Sequence, residues 1–208
     1  MTRDDQVRSL LDDLRRPEAY PAPRPLRVTQ ITTHISWVFL TDREVWKLKR
    51  PVDYGFVNYT TLERRRRCCE DEVRLNRRLA PDVYLGVAPV RLGPQGHWFG
   101  ADGDIVDYAV HMRRLADEQS AEALLRRSAL TPDHLTRLAE RLARFFIDAA
   151  PTPEAGAIET IRENVVENFA QVEPFVGRFV SRDTFDAVRA WQLGILDRQS
   201  GRFRRRVE

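Results

Sequence analysis

Lysine is nearly missing from this sequence. Of its 34 basic residues only Lys47 and Lys49 are lysine, and all the others are arginine. Both lie in one short segment, VWKLK. A chain that uses arginine wherever a positive charge will do, yet keeps lysine here, points to a need for a compact ammonium where a planar fork does not fit. Cysteine is as scarce. Cys68 and Cys69 are adjacent and have no partner elsewhere, which excludes a disulfide framework and a cysteine-based zinc site. Such cysteine usage points to a reducing cytoplasm. No apolar run approaches the roughly 20 residues of a membrane span. The N-terminus, MTRDDQVRSLL, is polar from the start and does not read as a signal peptide. A large charge of one sign is missing too. The 34 basic residues face 31 acidic ones, for a net +3, although the sequence pI is about 9.1. A dedicated nucleic-acid binder carries a larger and more clustered excess, so nucleic acid is not the expected partner. What is present is 42% hydrophobic residues in a chain of 208. That suffices for one sizeable domain or two small lobes with a cleft between them.

The patterning gives an order of elements. Val7, Leu10, Leu11 and Leu14 recur with helical spacing over residues 4–15. Pro17, Pro21, Pro23 and Pro25 then favour extended chain. LRVTQITT, SWVFLT and EVWKLKR are β-branched and aromatic runs, and they read as a three-stranded meander over residues 26–50. A long helix follows from about 61 to 79, with Thr60 and Glu63 as its capping box. YLGVAPVRL and IVDYAVHM form a strand pair, and the connection between them has room for a short edge strand. From about residue 117 the chain reads as helical. One helix starts at Thr131-Pro132, and two more lie near 157–173 and 181–200. Trp191, Phe185 and Val188 read as helix core. The organisation expected is a helix and proline-rich linker over 1–25, an α+β lobe over 26–115 and a helical part over 116–208.

Chemistry concentrates on the third strand and the helix after it. Alternation puts Val45, Lys47 and Lys49 on one strand face. On the helix, Cys68, Glu72, Leu75 and Leu79 share one stripe, with Glu72 as its single carboxylate. A carboxylate held against a core needs a cation, and the preceding strand offers one. A third-strand lysine paired with a glutamate on the next helix is the nucleotide clamp of the protein-kinase fold. EVWK stands where kinases carry V-A-I-K, so Val45 would take the place that packs on adenine if Lys47 is the clamp. If Lys49 were the clamp, Lys47 would face adenine. The sequence favours Lys47 and leaves Lys49 as the alternative.

Residues 29–115 also resemble the bacterial aminoglycoside phosphotransferase-like proteins, which often continue into a P-loop ATPase domain. The resemblance rests on THISWVFL (33–40), VWKLKRPVDYGF (45–56), TLERRR (61–66), EVRLNRRLAPDVYLGVAPV (72–90) and DYAVHMRRL (107–115). It implies a kinase-like N-lobe, a five-stranded antiparallel sheet plus one helix, followed by the first helices of an α-helical C-lobe. It further implies binding of ATP or GTP with Mg. Lys47 would meet the phosphates and Glu72 would hold it. Ser36 would lie in the turn above the phosphates. Met112, Arg113 and Leu115 would belong to the hinge that reads the adenine edge. The acceptor would be a small molecule whose identity the sequence does not specify.

Two departures shape the expectation. The turn Thr32–Ser36 contains no glycine. None of the four histidines, His34, His97, His111 and His134, is followed by Gly-Asp, and no D-F-G motif occurs. The catalytic loop and the Mg²⁺ ligands of such enzymes are therefore not found in this chain. It is expected to be truncated before the catalytic loop, inactive in phosphoryl transfer by itself, and prone to oligomerise. The competing expectation is a non-catalytic, pseudokinase-type module. It would use the cleft, or the arginine run Arg64–Arg67, for a protein or nucleic-acid partner. Glu163, Asn164, Glu167 and Asn168 form a polar helix face that reads as solvent-facing.

Overall fold

The computed structural model describes residues 2–207. The protein is α+β, with one antiparallel sheet and helices on both of its faces. Its chain divides into two compact units, Met1–Phe145 and Phe146–Glu208. In the first unit α1 (Arg3–Leu14) precedes β1 (Thr29–Thr32), β2 (Ser36–Leu40) and β3 (Glu44–Lys49). Then come α2 (Leu62–Asn76), β4 (Tyr84–Gly93), β5 (Gly96–Trp98), β6 (Asp104–Arg113) and α3 (Ala121–Arg126). α4 (Pro132–Ile147) spans the division. The second unit holds α5 (Pro153–Gly156), α6 (Ile158–Val172), α7 (Arg182–Arg198) and α8 (Ser200–Val207).

The strand order is β1-β2-β3-β6-β4-β5. The sheet thus has six strands where five were expected. The extra one is the edge strand β5, closed onto β4 by the turn Gly93–Gly96. A threonine closes each of the first two hairpins. Thr33 Oγ1 accepts from Ser36 N at 3.0 Å, and Thr41 Oγ1 accepts from Glu44 N at 3.0 Å. Side-chain bonds of this kind define a tight turn without glycine.

Each face of the sheet has its own cover. Trp37, Phe39, Trp46, Leu48, Val90 and Ala109 point to one face and are buried with Leu10 and Leu14 of α1 and with Tyr20 and Phe99. Burying side chains such as Leu14 and Phe39, both 0% exposed, stabilises the fold by about 1.5–3 kcal/mol each. Tyr20 fastens this layer by donating its hydroxyl to the Leu14 carbonyl at 2.7 Å. The opposite face carries Val87, Val110 and Met112 and is covered by Cys69 and Val73 of α2.

Several expectations about α2 are corrected here. Its N-cap is Thr61, which accepts from Arg64 N at 3.2 Å, whereas Thr60 donates its hydroxyl to Asn58. The helix ends at Asn76, so Leu79 lies beyond it. Its buried residues are Arg65, Cys69 and Val73. Leu75 and Leu79 are 41% and 38% exposed, so of the stripe Cys68, Glu72, Leu75 and Leu79 the two leucines do not pack, while Glu72 turns to the sheet. The count of apolar residues missed the true face because a paired arginine occupies its first turn.

In the second unit, Phe185 is buried edge-on to Phe169 at 5.3 Å. Trp191 and Val188 are 61% and 44% exposed, so they are not core. Glu163, Asn164, Glu167 and Asn168 are exposed. Among the described residues no helix is long and apolar enough to cross a membrane.

Candidate functional site

Antiparallel register builds one continuous side-chain field on the α2 face. Ser36 lies opposite Lys49, Val38 opposite Lys47, and Leu40 opposite Val45. On the other side of β3, Val45 faces Met112 and Lys47 faces Val110. The two lysines thus follow one another along an otherwise apolar surface, with Val45 beside them at the strand's start.

α2 crosses this surface and lowers Glu72 between the lysines. Lys47 Nζ donates to Glu72 Oε1 at 3.0 Å. Lys49 Nζ donates to the other carboxylate oxygen, Oε2, in a closer contact. The side chains differ in access: Lys49 is 5% exposed, Glu72 14% and Lys47 28%. Lys49 also has the Tyr59 ring 5.5 Å away. Two ammonium groups share one carboxylate, so the cluster carries one net positive charge, and the lysine nearer solvent is Lys47.

Proton equilibria follow from this packing. Burial works to raise the Glu72 pKa, but bonds and charge from Lys49, then Lys47, outweigh it and hold the carboxyl below its ordinary value. Burial likewise opposes the charged form of Lys49, and Glu72 overcomes it, so the Lys49 pKa rises. Burial pushes the neighbouring Cys69 thiol up to about 12 and also raises the Tyr59 hydroxyl. The charges on Glu72 and Lys49 are therefore fixed across the neutral range.

The remaining expected residues fall into two groups. Val45 and Met112 are partly buried neighbours of the lysines. Ser36 is fully buried, its Oγ has no hydrogen-bond partner among the described residues, and it begins β2 rather than lying in the open turn. At the end of β6, Arg113 N donates to Val83 O and Arg114 N to Arg43 O, each at 2.8 Å. Leu115 is 61% exposed, and among the described residues nothing hydrogen-bonds to its backbone.

Sequence reasoning missed one buried ion pair. Arg65 Nε donates to Asp107 Oδ1 at 2.8 Å, and its Nη1 donates to the Tyr59 carbonyl at 3.1 Å. This ties the first turn of α2 to β6. Burial raises the Asp107 pKa in spite of Arg65. The signal was present as Arg65, Cys69 and Val73 at a spacing of four. Arg66 and Arg67 are also spent locally, on Glu70 and Glu63.

Among the described residues, hollows of about 470, 610 and 610 Å³ open elsewhere on this unit. They lie by the proline loop, by the β4–β5 turn and between α1 and the start of α2, and none is lined by Lys47, Lys49 or Glu72. Among the described residues no three His, Cys, Asp or Glu side chains converge as a metal site.

The chain is similar to an uncharacterized protein of Mycobacterium bovis and to uncharacterized proteins of two strains of Mycobacterium tuberculosis. Each is 29% identical over 169 residues, which is 80% of this chain and 32% of the relative. The chain therefore spans about a third of the length of these curated relatives. No family model matches it, and no solved structure matches it.

Proposed function

We propose that this chain is the nucleotide-binding portion of an aminoglycoside phosphotransferase-like small-molecule kinase, built as a kinase-like N-lobe with the first helices of a C-lobe and working in the cytoplasm. The observation that carries this reading is the Lys47–Glu72–Lys49 cluster, bonded from strand β3 to helix α2. Lys49 neutralises the buried carboxylate from beneath. Lys47, held by the same carboxylate at the more accessible end, acts as a point charge toward the phosphates of ATP or GTP. Val45, Leu40 and Met112 offer an apolar bed for the base, and the free peptide groups of Leu115 suit its polar edge. A Mg²⁺ ion travelling with the nucleotide has no carboxylate here to hold it, because Glu72 is engaged by both lysines. No residue of this chain is assigned the catalytic aspartate or a metal ligand, and the acceptor is left as a small molecule of unspecified class. The alternative is a pseudokinase-type module that uses the cleft or the run Arg64–Arg67 for a partner; there Arg65 is in a buried ion pair, while Arg66 and Arg67 pair with Glu70 and Glu63 at the surface.

A thermal-shift series tests this reading. Mg-ATP or Mg-GTP at ten times its Kd should stabilise the protein by about 1.4 kcal/mol. For a chain of this size that is a rise of roughly 3–6 °C in Tm. Adenosine should act less and tripolyphosphate partly. No shift with any nucleotide up to millimolar concentration would contradict the reading.

A further inference from the structure

We infer that Arg50 is a positioning residue that aims the β1–β2 turn at an anion, a role that rests on the nucleotide reading above. Arg50 follows β3 and reaches back to three consecutive carbonyls of the turn. Its Nη1 donates to Thr33 O at 2.8 Å and to His34 O at 3.0 Å. Its own peptide N donates to Ile35 O at 2.9 Å. Among the described residues no carboxylate pairs with the guanidinium, and its Nε is buried without a partner. The arginine is thus committed to backbone rather than to a counter-ion.

The consequence follows from peptide geometry. In a trans peptide the carbonyl of one residue and the N–H of the next point in opposite directions. With Thr33 O and His34 O both turned to Arg50, the N–H groups of His34 and Ile35 point away from it. Neither has an acceptor among the described residues, whereas Thr33 N and Ser36 N are used up in closing the turn. The guanidinium itself sits 6.0 Å from the Trp37 ring, and Trp37 belongs to the face opposite the lysines. The free N–H pair therefore opens toward the side that carries Lys47 and Lys49. Successive peptide N–H groups aimed at one point form an anion-binding concavity. A glycine-rich turn achieves this through backbone freedom. Here Thr33 closes a glycine-free turn and Arg50 fixes the direction of its carbonyls.

The test uses Arg50→Met, which keeps an unbranched stem beside Trp37 but removes the donors, and two readouts. The first is amide exchange at Thr33 and Ser36 without ligand. The second is calorimetric affinity for inorganic tripolyphosphate and, separately, for adenosine. Losing bonds from a charged donor should speed exchange at both amides by about tenfold and weaken tripolyphosphate by about tenfold, with adenosine unchanged. Unchanged exchange, or equal losses for tripolyphosphate and adenosine, overturns the inference. Wild-type protein that binds both probes, matched by the variant, overturns this inference alone. Wild-type protein that binds neither overturns the nucleotide reading and this role together.

Discussion

Lys47 Nζ lies 3.0 Å from Glu72 Oε1, while the other oxygen of the same carboxylate is held by the buried Lys49. One carboxylate on α2 thus sets the positions of both lysines in the protein. Removing it should be felt more than removing either cation. Glu72→Gln leaves the ammonium of Lys49 buried without a counter-charge and should destabilise the fold by about 3 kcal/mol. Lys47→Ala removes a more accessible partner and should cost under about 1 kcal/mol. Urea unfolding of both variants checks the order, and equal losses would refute it.

The cluster also predicts a pH window. The folded pKa of Glu72 is below its ordinary 4.5, so its stabilising contribution is present above that value. It fades as pH falls through the lower folded value. The folded pKa of Lys49 is above its ordinary 10.5. Its contribution is present below that value and fades as pH rises through the higher folded value. In the wild type the contribution of these two groups to stability should be flat across the neutral range and shrink at both extremes. Titration of Lys49 or Glu72 in the folded wild type between pH 6 and 8, followed by NMR, would contradict this assignment.

Arg65 and Asp107 give a separate test of the α2–β6 tie. Arg65→Met leaves a buried carboxylate unpaired and should cost about 3–5 kcal/mol, whereas Arg65→Met combined with Asp107→Leu should cost much less than the two single changes summed. Additive losses in thermal unfolding would show that the pair does not couple.

The two thiols should behave differently. Cys69 is fully buried and burial pushes its thiol up to about 12, while Cys68 is partly exposed. In native protein near pH 8 a thiol reagent should modify one cysteine quickly and the other only on unfolding. Rapid reaction of both would place Cys69 nearer the surface.

The pairing of Lys47 with Glu72 was legible in the sequence because it needs only strand alternation and the order strand, loop, helix. The share taken by Lys49 was not. Alternation puts both lysines on one face, and nothing in the spacing says that a single carboxylate reaches both. The face of α2 was misjudged because Arg65 occupies a buried position, which hydrophobic counting scores as exposed. The cap slipped by one residue because Thr60 and Thr61 are adjacent and chemically equal. α1 was recognisable from its repeat of apolar residues, but the face of the sheet that it covers depends on long-range packing with Trp37, Trp46 and Phe99. The hold of Arg50 on the turn was hidden for the same reason, since a side chain bonding to backbone carbonyls leaves no residue pattern.

The most direct measurement is isothermal titration of the protein with Mg-ATP and Mg-GTP, repeated with Lys47→Ala and Lys49→Ala. The account predicts weak, saturable binding by wild type. It predicts a larger loss with Lys47→Ala, because Lys47 is the point charge toward the phosphates and Lys49 holds Glu72 from beneath. No heat of binding at millimolar nucleotide, or equal losses in the two variants, would contradict it.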